Sequence, residues 1–296
     1  MFIYMDQQLR ISAGKSLALF ICWWVLCTLL GSVIIGLVGA DDVVRLRWAT
    51  VLQDLFIFIM PVAMTALIAA RNPLRFTGVD RWPCSSAVVW TMTVVVLAIP
   101  AMNVIVQWNA SLTLPESMSR IEQVLRASEQ AANGMVMMLM SGTSVIDLIL
   151  SILIMGCLTG IAEELFFRGM LQKLLHVQLR NAHIAIWATA VIFSAVHLQF
   201  FGFVPRMLIG AFLGYLAWWS GSLWLPAMAH ALNNSLVVIN QWLVNTGRSS
   251  VDANSVGADG SAADIAIAAV SLAATIGALW YLSSRVFGKS RKATID

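Results

Sequence analysis

The chain is 296 residues long, 59% hydrophobic and only 11% charged, with a mean hydropathy of +0.83. A water-facing domain carries about 25% charged residues, so a soluble globule is excluded. The net charge of +3 is small and spread along the chain, so no nucleic-acid surface is implied.

A spanning helix needs about 20 mostly apolar residues. The first such run, 16–40, follows Arg10 and Lys15 but is too long for the core of a signal peptide, so it is expected as a retained span. Runs 52–70 and 86–108 follow. The loop 109–143 is then long. In it Pro115 opens a stretch with Met118, Ile121, Val124 and Leu125 on one greasy face, suited to lying along the bilayer interface. Met135, Met137, Met138 and Met140 come next; they read as ordinary packing or as a pliable surface for varied peptides. Runs 145–167, 184–198, 203–219, 223–244 and 265–282 bring the expected spans to about eight, the fifth and sixth being short with soft ends. Helices are required because an open sheet edge cannot be satisfied in lipid, so the expected fold is an all-α, polytopic transmembrane bundle. Three parts are expected: 1–144 with spans one to three and the amphipathic loop, a core 145–244, and 245–296 with the last span and a basic tail. Cys22, Cys27, Cys84 and Cys157 form no CxxC pair and read as packing residues.

Lys and Arg in short loops set orientation. Arg71, Arg75 and Arg81 follow span two, Arg168, Lys173 and Arg180 follow span four, and Arg285, Lys289, Arg291 and Lys292 follow span eight. Both termini are therefore expected in the cytoplasm, with the acidic, Gly/Ser-rich loop 245–264 outside. Arg45 and Arg47 fall on the wrong side, beside Asp41 and Asp42.

A charge in a spanning helix costs at least ~2.5 kcal/mol, so each needs a reason. Most cluster between spans four and seven. Glu164 and Arg168 lie four apart, acid first, the favourable order for an ion pair. Glu163 and Arg168 lie five apart and splay by roughly 140°. Glu163 is thus left without a cation on its own face, where a low dielectric favours general-base behaviour. The bland reading of all three is an ion network in the headgroups. Phe193 and His197 share a face, as do His230 and Asn234. His176 and His183 are expected in a cytoplasmic loop. Asp54 and Asp147 sit near span starts, with no role evident.

E-E-x-x-x-R at Glu163, Glu164 and Arg168, F-x-x-x-H at Phe193 and His197, and H-x-x-x-N at His230 and Asn234 resemble the CPBP group, the CAAX proteases and bacteriocin-processing enzymes also called the Abi family. The resemblance covers about 145–244. It implies an intramembrane endopeptidase acting on membrane-bound peptides or proteins, in the inner membrane of a bacterium. By that resemblance Glu163 activates water, His197 helps hold it, His230 and Asn234 stabilise the oxyanion, and Glu164, Arg168 and Phe193 give support. Zinc held by Glu163, His197 and His230 is the other version, although no H-E-x-x-H spacing is present. The metal-free form, with no cofactor, is preferred because Asn is a poor zinc ligand and a good oxyanion donor. An ion- or proton-coupled transporter and a non-catalytic scaffold or immunity protein are the competing functions. The absence of an evident internal repeat counts weakly against the transporter. One tension is geometric: Glu163 is expected near the cytoplasmic end of its span and His197 near the opposite end of the next.

Overall fold

The computed structural model describes residues 7–249, 256–258 and 260–288. Among them the structure is helical, with no strand beyond a single bridge between Leu9 and Ala70. The chain runs α1 (Ala13–Val38), α2 (Val43–Ala69), α3 (Ser85–Leu97), α4 (Ile99–Ala110), α5 (Ser119–Leu139), α6 (Val145–Leu179), α7 (Ala182–Ala195), α8 (Phe203–Ser220), α9 (Trp224–Asn245) and α10 (Ala262–Val286). Of these, α1, α2, α6, α8 and α10 are long and apolar enough to cross a membrane. The pair α3 and α4, bent by 47° where Pro100 follows Ile99, makes a sixth span if counted as one.

The expectation of eight spans therefore meets two soft cases. Helix α7 has 14 residues, about 21 Å at 1.5 Å each, short of a bilayer core. Helix α9 is long enough, but His230, Asn233, Asn234 and Asn240 lower its apolarity.

Capping residues explain the tight turns. The Asp42 side chain accepts from Arg45 N–H and starts α2, and Ser144 does the same for Asp147 at the start of α6. Arg180 adopts a left-handed conformation that stops α6, and Asn181 caps α7 through Ile184 N–H. Helix α6 thus runs well past residue 167, where the fourth span was expected to end. His176 lies on α6 and His183 in the first turn of α7, not in a loop.

The basic loops gather at one end of the bundle. Arg10 N–H meets the Ala69 carbonyl, Leu223 N–H the Gly78 carbonyl and the Trp224 indole the Val79 carbonyl, while Trp219 packs on Phe287. At the other end Arg47 pairs with Asp147 at 3.0 Å, and Trp242 donates to Thr143. Arg45 pairs with Asp41 at 2.8 Å, which holds the Asp41 carboxyl below the usual carboxylate range. Both wrong-side arginines are thereby neutralised. Lys289, Arg291 and Lys292 lie outside the described residues.

The long loop 109–143 folds into α5. Its Ile121, Val124, Met135, Met137 and Met138 are exposed, leaving a greasy face open, while Met140 is buried. The helix is tied down by polar groups. Glu122 accepts from Leu114 N–H and Arg126, which together hold its carboxyl low, and Glu129 accepts from Phe201 N–H. All four cysteines are free.

Candidate active site

Glu163 and Glu164 lie near the middle of α6, between two wide π turns, Ile152–Leu158 and Leu165–Leu171, and Arg168 lies within the second. Such turns mark functional stretches in many helices. The depth mismatch between Glu163 and His197 disappears because α6 continues to Leu179. Nearly as many residues then separate Glu163 from that turn as separate His197 from Ala182, so the antiparallel pair brings them level.

Two close helix contacts fix the neighbours. On α6, Gly156 and Gly160 face α9: a Cβ at Gly156 would stand 2.4 Å from Ser235 Oγ, and one at Gly160 3.2 Å from Ala231 N. On α8, a Cβ at Gly210 would meet Phe193 at 3.1 Å, and one at Gly214 would meet Ile186 at 2.9 Å. Small residues four apart let membrane helices approach closely. These two pairs bring α9 and α8 against α6 and α7.

The side chains form two linked layers. In the first, Arg168 Nη1 donates to Glu164 Oε1 at 2.6 Å and Nη2 to the Gly210 carbonyl at 2.8 Å. His230 Nδ1 donates to the same Glu164 oxygen at 2.9 Å. Glu164 and Arg168 are essentially inaccessible, so the ion pair belongs to the interior and not to the headgroups. In the second layer, Glu163 faces both histidines, with Oε2 3.7 Å from His230 Nε2 and Oε1 3.9 Å from His197 Nε2. His197 Nδ1 donates to the Phe193 carbonyl at 2.7 Å. Both Nδ1 atoms are thus committed, and both Nε2 atoms are turned to Glu163. Separations of 3.7 and 3.9 Å are too long for direct hydrogen bonds.

Phe193 is the spacer between the histidines. Its ring is edge-on to His197 at 5.1 Å and to His230 at 5.9 Å, and the Arg168 guanidinium covers it at 4.7 Å. Asn234 follows His230 by one turn. Its Nδ2 donates to the Met155 carbonyl at 3.2 Å, and its Oδ1 accepts from Asn233 at 3.4 Å. It is held by that carbonyl and not by the Glu–His cluster, with one amide N–H left over. Among the described residues no three His, Cys, Asp or Glu side chains converge as a metal-ligand set, although Glu163, His197 and His230 are neighbours.

Two features escape the motif reading. Asp54, fully buried in the π turn Asp54–Ile59 of α2, accepts from Thr159 at 2.7 Å, one turn before Glu163. A carboxylate inside a span was the available signal. The second is a cavity of about 390 Å³ between α3, α4, α8, α9 and α10, with His230 and Asn233 on its wall among Met102, Phe212 and Leu279. Among the described residues no titratable side chain other than His230 lines it.

Residues 145–236 match the family described as type II CAAX prenyl endopeptidase Rce1-like. This segment carries all three motifs, so the resemblance to the CPBP group holds over the core of the chain. A stretch of 83 residues is 32% identical to the uncharacterized protein YpbD of Bacillus subtilis (strain 168). It covers 27% of this chain and 39% of that protein, so the chain spans well under half of the curated relative it matches. No solved structure matches the chain.

Proposed function

We propose that the protein is an intramembrane endopeptidase of the CAAX-protease kind, hydrolysing peptide bonds of membrane-bound peptides or proteins. The observation that carries this reading is the pair of histidine Nε2 atoms turned to one buried carboxylate, Glu163, on a segment that matches a protease family.

In this reading a water sits between Glu163 and His197. His197 Nδ1–H donates to the Phe193 carbonyl, so in the neutral ring Nε2 is the acceptor for one water hydrogen. Glu163 accepts the other as the water oxygen bonds to the substrate carbonyl carbon. The oxyanion that forms is met by the spare N–H of Asn234 and by His230 Nε2–H in its doubly protonated form. The carbon–nitrogen bond then breaks, and the proton held by Glu163 leaves with the amine. Glu164, fixed by Arg168, orients His230 and does not meet the substrate. The largely apolar cavity with His230 on its wall suits an apolar stretch of substrate beside the scissile bond.

Zinc on Glu163, His197 and His230 would polarise the same carbonyl. We favour the metal-free form, because Asn234 is an amide donor and a poor zinc ligand, and no H-E-x-x-H spacing is present. Incubating the purified protein with a library of apolar peptides in nanodiscs, and mapping cuts by mass spectrometry, tests the activity. Cleavage that survives strong chelation, in protein holding far below one equivalent of zinc, is the expected result. Stoichiometric zinc, lost and regained together with activity, would make these three residues ligands. No cleavage of any member would return the protein to the transporter or scaffold class.

A further inference from the structure

A second, smaller cavity lies at the basic end, with Arg168 in its wall. Its volume is about 90 Å³, several times the ~10–15 Å³ that one water takes by the same measure. Arg75, Arg81, Lys173 and His176 line it, and Arg168 is part of its wall. No carboxylate is among the lining residues that the structure describes. Among the described residues Arg81 and Lys173 form no ion pair, and the Lys173 ammonium donates to the Phe76 carbonyl. Asp80 acts on Lys173 through space, but it is exposed and lies outside the lining.

The backbone keeps space for these cations. Gly78 has φ +83° and Gly221 φ +66°, a left-handed conformation that glycine adopts without strain. A Cβ at Gly78 would lie 3.0 Å from Lys173 Nζ, and one at Gly221 3.1 Å from Arg81 Nη1. Behind them, Arg168 is 1% exposed, with Nη1 and Nη2 committed to Glu164 and Gly210. Its Nε is buried with no hydrogen-bond partner, an uncommon state for a guanidinium N–H. Cations that converge on a small hollow, with an unpartnered buried donor in its wall, make a site for a compact anion.

The surroundings say which anion. Trp82 and Trp224 stack at 4.8 Å at this end, Trp82 being largely exposed, and Trp218 lines the hollow itself. Tryptophans beside Lys and Arg mark the headgroup level of a bilayer, where phosphate is the abundant compact anion. We propose that this hollow binds the phosphate of an anionic phospholipid headgroup, held by Arg81 and Lys173 with Arg168 behind. The occupant then completes the partners of Arg168, the residue that fixes Glu164 and, through it, His230.

The test is a binding measurement that needs no catalysis. The full chain, purified in a neutral maltoside detergent, is titrated with dihexanoyl phosphatidylglycerol, dihexanoyl phosphatidylcholine or inorganic phosphate at 150 mM salt. Melting temperature and bound lipid by native mass spectrometry are read. Phosphatidylglycerol should bind at one saturable site and raise the melting temperature. Arg81→Gln and Lys173→Met should each weaken that binding at least tenfold. Arg81→Gln alters an exposed side chain, so it keeps the test valid if Lys173→Met folds poorly. Equal protection by phosphatidylcholine would overturn the choice of an anionic lipid. Inorganic phosphate matching phosphatidylglycerol at equal concentration would overturn the lipid as source. Undiminished phosphatidylglycerol binding by Arg81→Gln would overturn the site.

Discussion

The two adjacent glutamates differ in what their neighbours do for them. Glu164 is tied by Arg168 and His230, whereas among the described residues Glu163 is paired with imidazole nitrogens alone, at 3.7 and 3.9 Å. Removing a general base costs turnover by roughly 10²-fold or more and leaves packing alone. Removing one partner of a desolvated pair strands a buried charge, at roughly 3–5 kcal/mol. Glu163→Gln should therefore be inactive with near-normal yield and melting temperature. Glu164→Gln should melt much earlier, and adding Arg168→Met should restore part of the loss. Cleavage and thermal unfolding measured in one detergent decide this; a stable, dead Glu164→Gln beside an active Glu163→Gln would reverse the roles. Phe193→Leu is a finer probe. It keeps an apolar side chain but removes the ring that spaces the two histidines and lies under Arg168. It should lower kcat more than it raises KM, and an unchanged kcat would mean that the spacing comes from the backbone alone.

At the scale of the helix, the i, i+4 spacing of Glu164 with Arg168, Phe193 with His197 and His230 with Asn234 was legible in the sequence, because a shared face needs only the helical period. The length of α6 was not. Arg168 and Lys173 look like the charges that end a span, yet Arg168 is buried by Glu164 and the Gly210 carbonyl, groups supplied from the same helix and from a distant one. The π turns around Glu163 carry no sequence signal, since they arise when packing inserts a residue into the helical ladder. The glycine pairs have G-x-x-x-G spacing, which by itself says nothing about which helix they meet. Gly156 gives the sharpest test of that contact. Gly156→Ala would put its Cβ 2.4 Å from Ser235 Oγ and push α9, with His230 and Asn234, away from α6. It should cut cleavage at least tenfold in a protein that still purifies as a single species. Ser235→Ala removes the clashing atom, so the double variant should recover most activity. Failure of Ser235→Ala to rescue would mean that Gly156 matters for something other than this contact.

For the whole molecule, the orientation in the membrane follows from where the charges collect. Arg71, Arg75, Arg81, Lys173 and Arg180 lie at one end, joined there by the loop 221–223 and by Phe287. The opposite end holds Arg45 and Arg47, but Asp41 and Asp147 neutralise them, so they add little to the bias. The basic end should therefore face the cytoplasm. Cys84 is exposed and follows the Arg81 loop, whereas Ala262 is exposed at the start of α10, at the other end. In a background with Cys22, Cys27 and Cys157 replaced, Cys84 should react with a membrane-impermeant maleimide only after the cells are opened. With Cys84 also replaced, Ala262→Cys should react in intact cells. The reverse pattern would put the basic end outside, and with it the hollow beside Arg168 that we assign to a headgroup. Labelling of both positions in intact cells would mean that α10 does not cross, which its 25 residues and mean hydropathy of 2.0 argue against.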